Sequence, residues 1–106
     1  MDFLLREELL MRLFDSANIY ITKGISSIMN DSSLFGREVI TSINRFKRLD
    51  YGETSPEDIL VNNDALNYKD RVIGVYCTSE TNIWIIAESE DGNEYTVLTV
   101  LLPDEY

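Results

Sequence analysis

The stretch from Arg71 to Leu102 leaves the chain few options. Three runs, RVIGVYCT, IWIIAE and EYTVLTVLL, are built from valine, isoleucine, threonine and aromatic residues, which favour a pleated, half-buried backbone. SETN separates the first two runs and SEDGN the last two, both of hairpin length and rich in turn-forming residues. Strands joined so tightly pair antiparallel, so the expectation is a three-stranded β-meander. In the middle run Ile83, Ile85 and Ala87 alternate with Trp84 and Ile86, which makes both faces apolar. Such a sheet needs cover on both sides, or leaves one side for a partner. Pro103 ends the last strand, because it has no N–H for the ladder.

Ahead of this region the apolar spacing is that of helices. Asp2 is placed to cap a helix over about residues 3–15. Phe3, Leu10 and Phe14 fall on one side of it and Leu5, Leu9 and Leu13 on roughly the opposite side, as in a helix buried between two surfaces. One surface is the sheet; the other is a second helix or a partner subunit. NIYITKGI, residues 18–25, reads as a short strand ended at Gly24. Asp31 or Ser32 opens the next helix, through about Leu49, with Phe35, Val39, Ile43 and Phe46 on its buried side. Arg45, Lys47 and Arg48 in its last turn suit the negative end of the helix dipole. Ser55-Pro56-Glu57-Asp58 starts another helix, a short one that VNNDALNY interrupts after Val61, with Asp64 able to start a second turn. The predicted class is α+β: N-terminal and central helices packed on a C-terminal three-stranded antiparallel β-meander. It forms one domain over 1–106, with 1–17 an added helix, 18–70 a short strand and helices, and 71–106 the meander.

Composition excludes most enzymology. The 106 residues include no histidine, which removes the usual general base and metal ligand, and with it the Ser-His-Asp and Cys-His arrangements. Neither a cofactor nor a metal is expected. The lone cysteine, Cys77, cannot staple the fold and reads as a buried thiol in a reducing compartment. Asp2, Glu7 and Glu8 among the leading leucines are unlike a secretory signal, and no apolar run approaches the roughly 20 residues of a membrane span. A cytoplasmic, non-membrane protein is expected.

Charge is the feature that asks for a function. The net charge is −10, yet residues 1–49 carry seven basic and six acidic side chains, while residues 50–106 carry two and thirteen. ESEDGNE alone holds Glu88, Glu90, Asp91 and Glu94. Asp91-Gly92 is a favoured turn pair. A calcium loop with Gly92 at its sixth position would begin at Ala87, which has no ligand atom. The carboxylates therefore read as surface. Glu88, Glu90, Asp91, Glu94, Asp104 and Glu105 are the candidate partner-binding residues, helped by Glu57 and Asp58 in the connection before the meander. Duplex DNA presents about one charge per 1.7 Å of axis, and proteins that bind it have basic grooves. A stripe of carboxylates can fill such a groove, and it repels nucleic acid and anionic membranes from direct contact. Trp84 and Tyr106 are the aromatic anchors on offer, with Trp84 better suited to the core.

Tyr20-Ile21-Thr22-Lys23-Gly24, the run from Asn63-Asp64-Ala65-Leu66 through Asp70-Arg71, Ile83-Trp84-Ile85-Ile86-Ala87-Glu88, and Thr99 through Tyr106 together resemble a family of small, largely uncharacterised proteins. These are carried by plasmids and phages of Gram-positive bacteria. The resemblance covers about two thirds of the chain. It departs at Ala87, where the family usually has threonine, in the longer SEDGN turn, and in the leucine-rich first helix. It implies a mobile-element setting, where small acidic proteins often inhibit host defence as anti-restriction or anti-CRISPR proteins, some of them DNA mimics. The expected function is a non-enzymatic acidic inhibitor of a nucleic-acid-handling host defence protein. Foremost, this is an anti-CRISPR protein that blocks the nucleic-acid groove of a Cas nuclease. The alternative is a self-associating structural or regulatory module, a homo-oligomer through helix 3–15.

Overall fold

The computed structural model describes Leu10 and residues 12–106. The helix expected over 3–15 lies for the most part outside the described residues. Its end, Arg12–Ser16, is a series of turns closed by bonds such as Leu13 N–H to Leu10 C=O (3.3 Å) and Asp15 N–H to Arg12 C=O (3.1 Å). The chain then forms β1 (Asn18–Ile21), α1 (Lys23–Asp31), α2 (Ser33–Lys47), α3 (Pro56–Tyr68), β2 (Val72–Cys77), β3 (Asn82–Glu88) and β4 (Val97–Leu101), followed by a 3-10 turn at Pro103–Glu105.

The class is α+β, but the sheet corrects the expected three-stranded meander. It is four-stranded and mixed, in the order β1-β4-β3-β2. β2, β3 and β4 pair antiparallel, with Val72 opposite Ala87 and Ile85 opposite Val100. β1 is added in parallel, with Asn18 opposite Val97 and Ile21 opposite Val100. Without β1, the outer N–H and C=O groups of β4 would form an unpaired edge. The long connection through three helices lets the chain return to the sheet in parallel.

Two helices also differ from expectation. Gly24 does not end a strand; it lies in the first turn of α1, whose N-cap, Thr22, accepts the Ile25 N–H at 3.4 Å. Gly24, Ser26 and Ser27 are weak helix formers, but Ile25, Ile28 and Met29 meet the core at helical spacing. α2 begins where expected, with Ser32 Oγ accepting the Phe35 N–H at 3.1 Å. α3 starts at the expected cap, Ser55 Oγ on the Asp58 N–H at 3.2 Å, but runs unbroken to Tyr68 instead of stopping after Val61. Asn62, which reads as a breaker, is buried and binds both backbone groups of Ile73: Nδ2 donates to its C=O at 2.8 Å, and Oδ1 accepts its N–H at 3.2 Å.

One face of the sheet builds the core. Val72, Tyr76, Ile83, Ile85, Ala87, Leu98 and Val100 pack with Ile25, Phe35, Val39 and Phe46. Phe14 places its ring 5.0 Å from both Phe46 and Tyr95. Strand alternation also corrects the reading of Cys77: Val72, Gly74 and Tyr76 turn inward, so Cys77, at the strand end, is exposed. The outer edge of β2 is closed locally, since Glu53 N–H donates to Val75 C=O at 2.7 Å and Val75 N–H to Tyr51 C=O at 3.2 Å. Gly52, at φ 66°, makes that close approach possible.

Candidate partner-binding surface

The eight candidate carboxylates stand in three places. The first is the connection from β3 to β4. ESEDGNE is a turn, but the loop runs from Ser89 to Thr96, longer than the SEDGN hairpin expected. Thr96 N–H closes it on Glu88 C=O at 3.0 Å. Asp91 organises it from within: Oδ1 accepts Asn93 N–H at 2.8 Å, Glu94 N–H at 3.3 Å and the Ser89 hydroxyl at 3.2 Å. Those bonds, with the Asn93 N–H foremost, hold the Asp91 carboxyl below the usual carboxylate range. Gly92 supplies the positive φ of 77°. Glu90 and Glu94 are exposed on this organised loop. Glu88 sits at its foot, half-exposed, 3.4 Å from the guanidinium of Arg71.

The second place is the C-terminal turn. β4 runs away from the loop, and its last residue, Leu101, stands opposite Trp84. Asp104 is exposed there. Glu105 is used internally: its carboxylate accepts the Thr22 hydroxyl at 2.6 Å, Leu102 N–H at 2.8 Å and Gly24 N–H at 3.0 Å. It thereby lies against the positive end of α1, and these bonds, the Thr22 hydroxyl foremost, lower its pKa. The third place is the first turn of α3, where Glu57 and Asp58 are exposed.

The outer face of the sheet holds a feature that the candidate residues only touch. α3 stands beside β2, and between them opens a groove of about 270 Å³. Ile73 and Val75 of β2, Val61 and Asn62 of α3, Thr54, and Trp84 of β3 line it, with Asp58 and Arg71 as its charged members. Trp84, better suited to the core on sequence grounds, lies on this outer face and is only partly buried. Tyr106 packs edge-on against it, with centroids 5.3 Å apart. Arg71 donates to the Tyr106 hydroxyl and lies 5.8 Å from its ring centroid. The sequence carried one sign of this surface: the strands that form it are apolar on both faces. It carried no sign that Thr54, Val61 and Asn62 would meet β2 there.

Among the described residues no three or more potential metal ligands cluster, and no described helix is long and apolar enough to cross a membrane. The chain matches no family model, no curated protein and no solved structure in the comparisons made.

Proposed function

We propose that this chain is a non-enzymatic acidic inhibitor that binds a nucleic-acid-handling host defence protein. In its specific form it is an anti-CRISPR protein that blocks the nucleic-acid groove of a Cas nuclease, within the plasmid and phage family that its motifs resemble. The supporting observation is the β3–β4 loop, where Glu88, Glu90, Asp91 and Glu94 are carried by a scaffold that Asp91 holds in shape through three accepted hydrogen bonds. Fixed anions on a rigid loop suit groove occupation, since complementary charge speeds association and sets specificity.

The test is protection of an incoming plasmid in a Gram-positive host whose CRISPR system targets it. The wild-type chain restores transformation, and the double variant Glu90→Lys with Glu94→Lys abolishes that protection while keeping its fold by circular dichroism. Asp91 is left in place because it shapes the loop. No protection by the wild-type chain, or equal protection by the variant, overturns the reading.

A self-associating module is the second reading, and β1 favours it. Ile19, Tyr20 and Ile21 are 41%, 55% and 41% exposed, and beyond β1 the sheet has no further strand among the described residues. An edge without charge or proline invites strand addition. A mass of two chains by light scattering, without plasmid protection, decides for this reading.

A further inference from the structure

We infer that the groove between α3 and the outer face of the sheet receives a lysine or arginine side chain of the partner protein. This rests on the proposed function in one respect, that the partner is a basic protein. The inference itself follows from the groove. Its lining is mostly apolar, with half-buried Ile73 and Val75 from β2, exposed Val61 from α3 at its margin, and the Trp84 indole beside them. Its two charges differ in state. Arg71 is engaged by the Glu88 carboxylate and the Tyr106 hydroxyl. The Asp58 carboxylate forms no ion pair among the described residues. It also stands in the first turn of α3, where the helix dipole favours the anion.

An apolar trough beside an indole, with a carboxylate in its lining that has no ion-pair partner among the described residues, complements a long aliphatic stem that ends in a cation. Lysine and arginine lay such stems along apolar surface while the charged head reaches a polar partner. A cation near the Trp84 ring gains further from its π face. A neutral aliphatic side chain would cover Asp58 without pairing it, and an anion would be repelled by it. The groove's volume of about 270 Å³ falls just below the range of ligand pockets, which begins at about 300 Å³, and suits one side chain better than a large ligand. Around it, Leu60 and Val61 are 70% and 64% exposed and offer apolar contact to the segment that carries the cation.

Trp84 is the chain's only tryptophan, so its emission reports directly on the groove. The intact chain is titrated at low salt with acetyl-Gly-Leu-Arg-Leu-Gly-amide, and with the same peptide carrying norleucine or glutamate at its centre. The arginine peptide is expected to shift Trp84 emission saturably and to move the backbone amide signals of Asp58, Val61, Ile73 and Val75. Asp58→Asn should weaken that binding about tenfold, the cost of one charge-assisted contact. Asp58→Lys should turn the preference toward the glutamate peptide, and Glu90→Lys with Glu94→Lys should leave the groove signals in place. Equal binding of the arginine and norleucine peptides, shifts confined to residues 89–96, or an unchanged affinity in Asp58→Asn would each overturn the inference. If loop-dependent plasmid protection is found but the arginine peptide does not bind, the groove assignment falls alone. If the peptide binds the groove but protection is absent, the inhibitor reading falls and the groove assignment stands.

Discussion

Glu105 shows how differently one carboxylate reads in the sequence and in the fold. In the sequence it is one of several acids near a chain end, and nothing local links it to Thr22. In the fold it closes the β4 end of the chain onto the start of α1, across 83 residues of separation. Hydrogen bonds that favour its charged form lower its pKa in the folded state, so the stabilisation is present above the ordinary value and is lost as pH falls from there through the lowered folded value. Asp50 adds to the same acid limb, because the Arg45 hydrogen bond at 2.8 Å and the Gly52 N–H lower its pKa as well. Both carboxylates are solvent-exposed, so each effect is modest. Thermal melts followed by circular dichroism should show the wild-type midpoint falling between about pH 5 and pH 3. Glu105→Gln should melt lower than wild type at pH 7 and lose part of that acid dependence. An unchanged acid limb in Glu105→Gln would mean that the contact with α1 does not hold in solution.

At the scale of elements, local chemistry marked where helices start better than where they end. Ser55 was readable as a cap, and Ser32 as one of two candidates beside Asp31, because a short polar side chain ahead of a helical run has one obvious task. The end of α3 was not readable, because what sustains it past Val61 is a tertiary pairing of the Asn62 amide with Ile73. Asparagine's weak helix propensity is overridden there by two buried hydrogen bonds. The parallel docking of β1 was hidden for the same reason, since its partner lies about 80 residues away in sequence. Gly52 and Gly92 make the contrast measurable. Both have positive φ, 66° and 77°, but a Cβ at Gly52 would collide with the Val75 carbonyl and the Tyr76 ring, whereas one at Gly92 would meet open space. Gly92→Ala should therefore cost only the backbone strain, about 1 kcal/mol. Gly52→Ala should cost about 3 kcal/mol or more, because the bridge to β2 has to open. Urea unfolding of the two variants compares them directly, and equal losses would show that the Gly52 bridge adds nothing to stability.

For the molecule as a whole, the uneven charge was visible in the sequence but its distribution in space was not. The direction of each strand decides which carboxylates become neighbours, so the loop and the C-terminal turn fall at opposite ends of β4. Beneath that surface three tyrosines draw the separate parts together. Tyr51 follows α2, Tyr76 lies in β2 and Tyr95 precedes β4, and all three are buried. Tyr76 donates its hydroxyl to Asp50 C=O at 2.7 Å and Tyr95 donates to Asp70 C=O at 2.8 Å. Burial pushes Tyr51 and Tyr95 up to about 12, and Tyr76 also above its ordinary value. The folded state thus holds these protons more tightly than the unfolded chain does. Their contribution is complete below about pH 10 and is lost as pH rises toward 12. Ionising any of them also adds an anion to a chain already at −10, so the three should be released together with the fold rather than one at a time. An alkaline titration that follows tyrosinate absorbance and the far-ultraviolet circular dichroism of the same sample tests this. The late part of the absorbance rise, from the three buried rings, should coincide with loss of the β signal. Complete ionisation of all six tyrosines in a chain that keeps its β signal would show that these rings do not tie the core together.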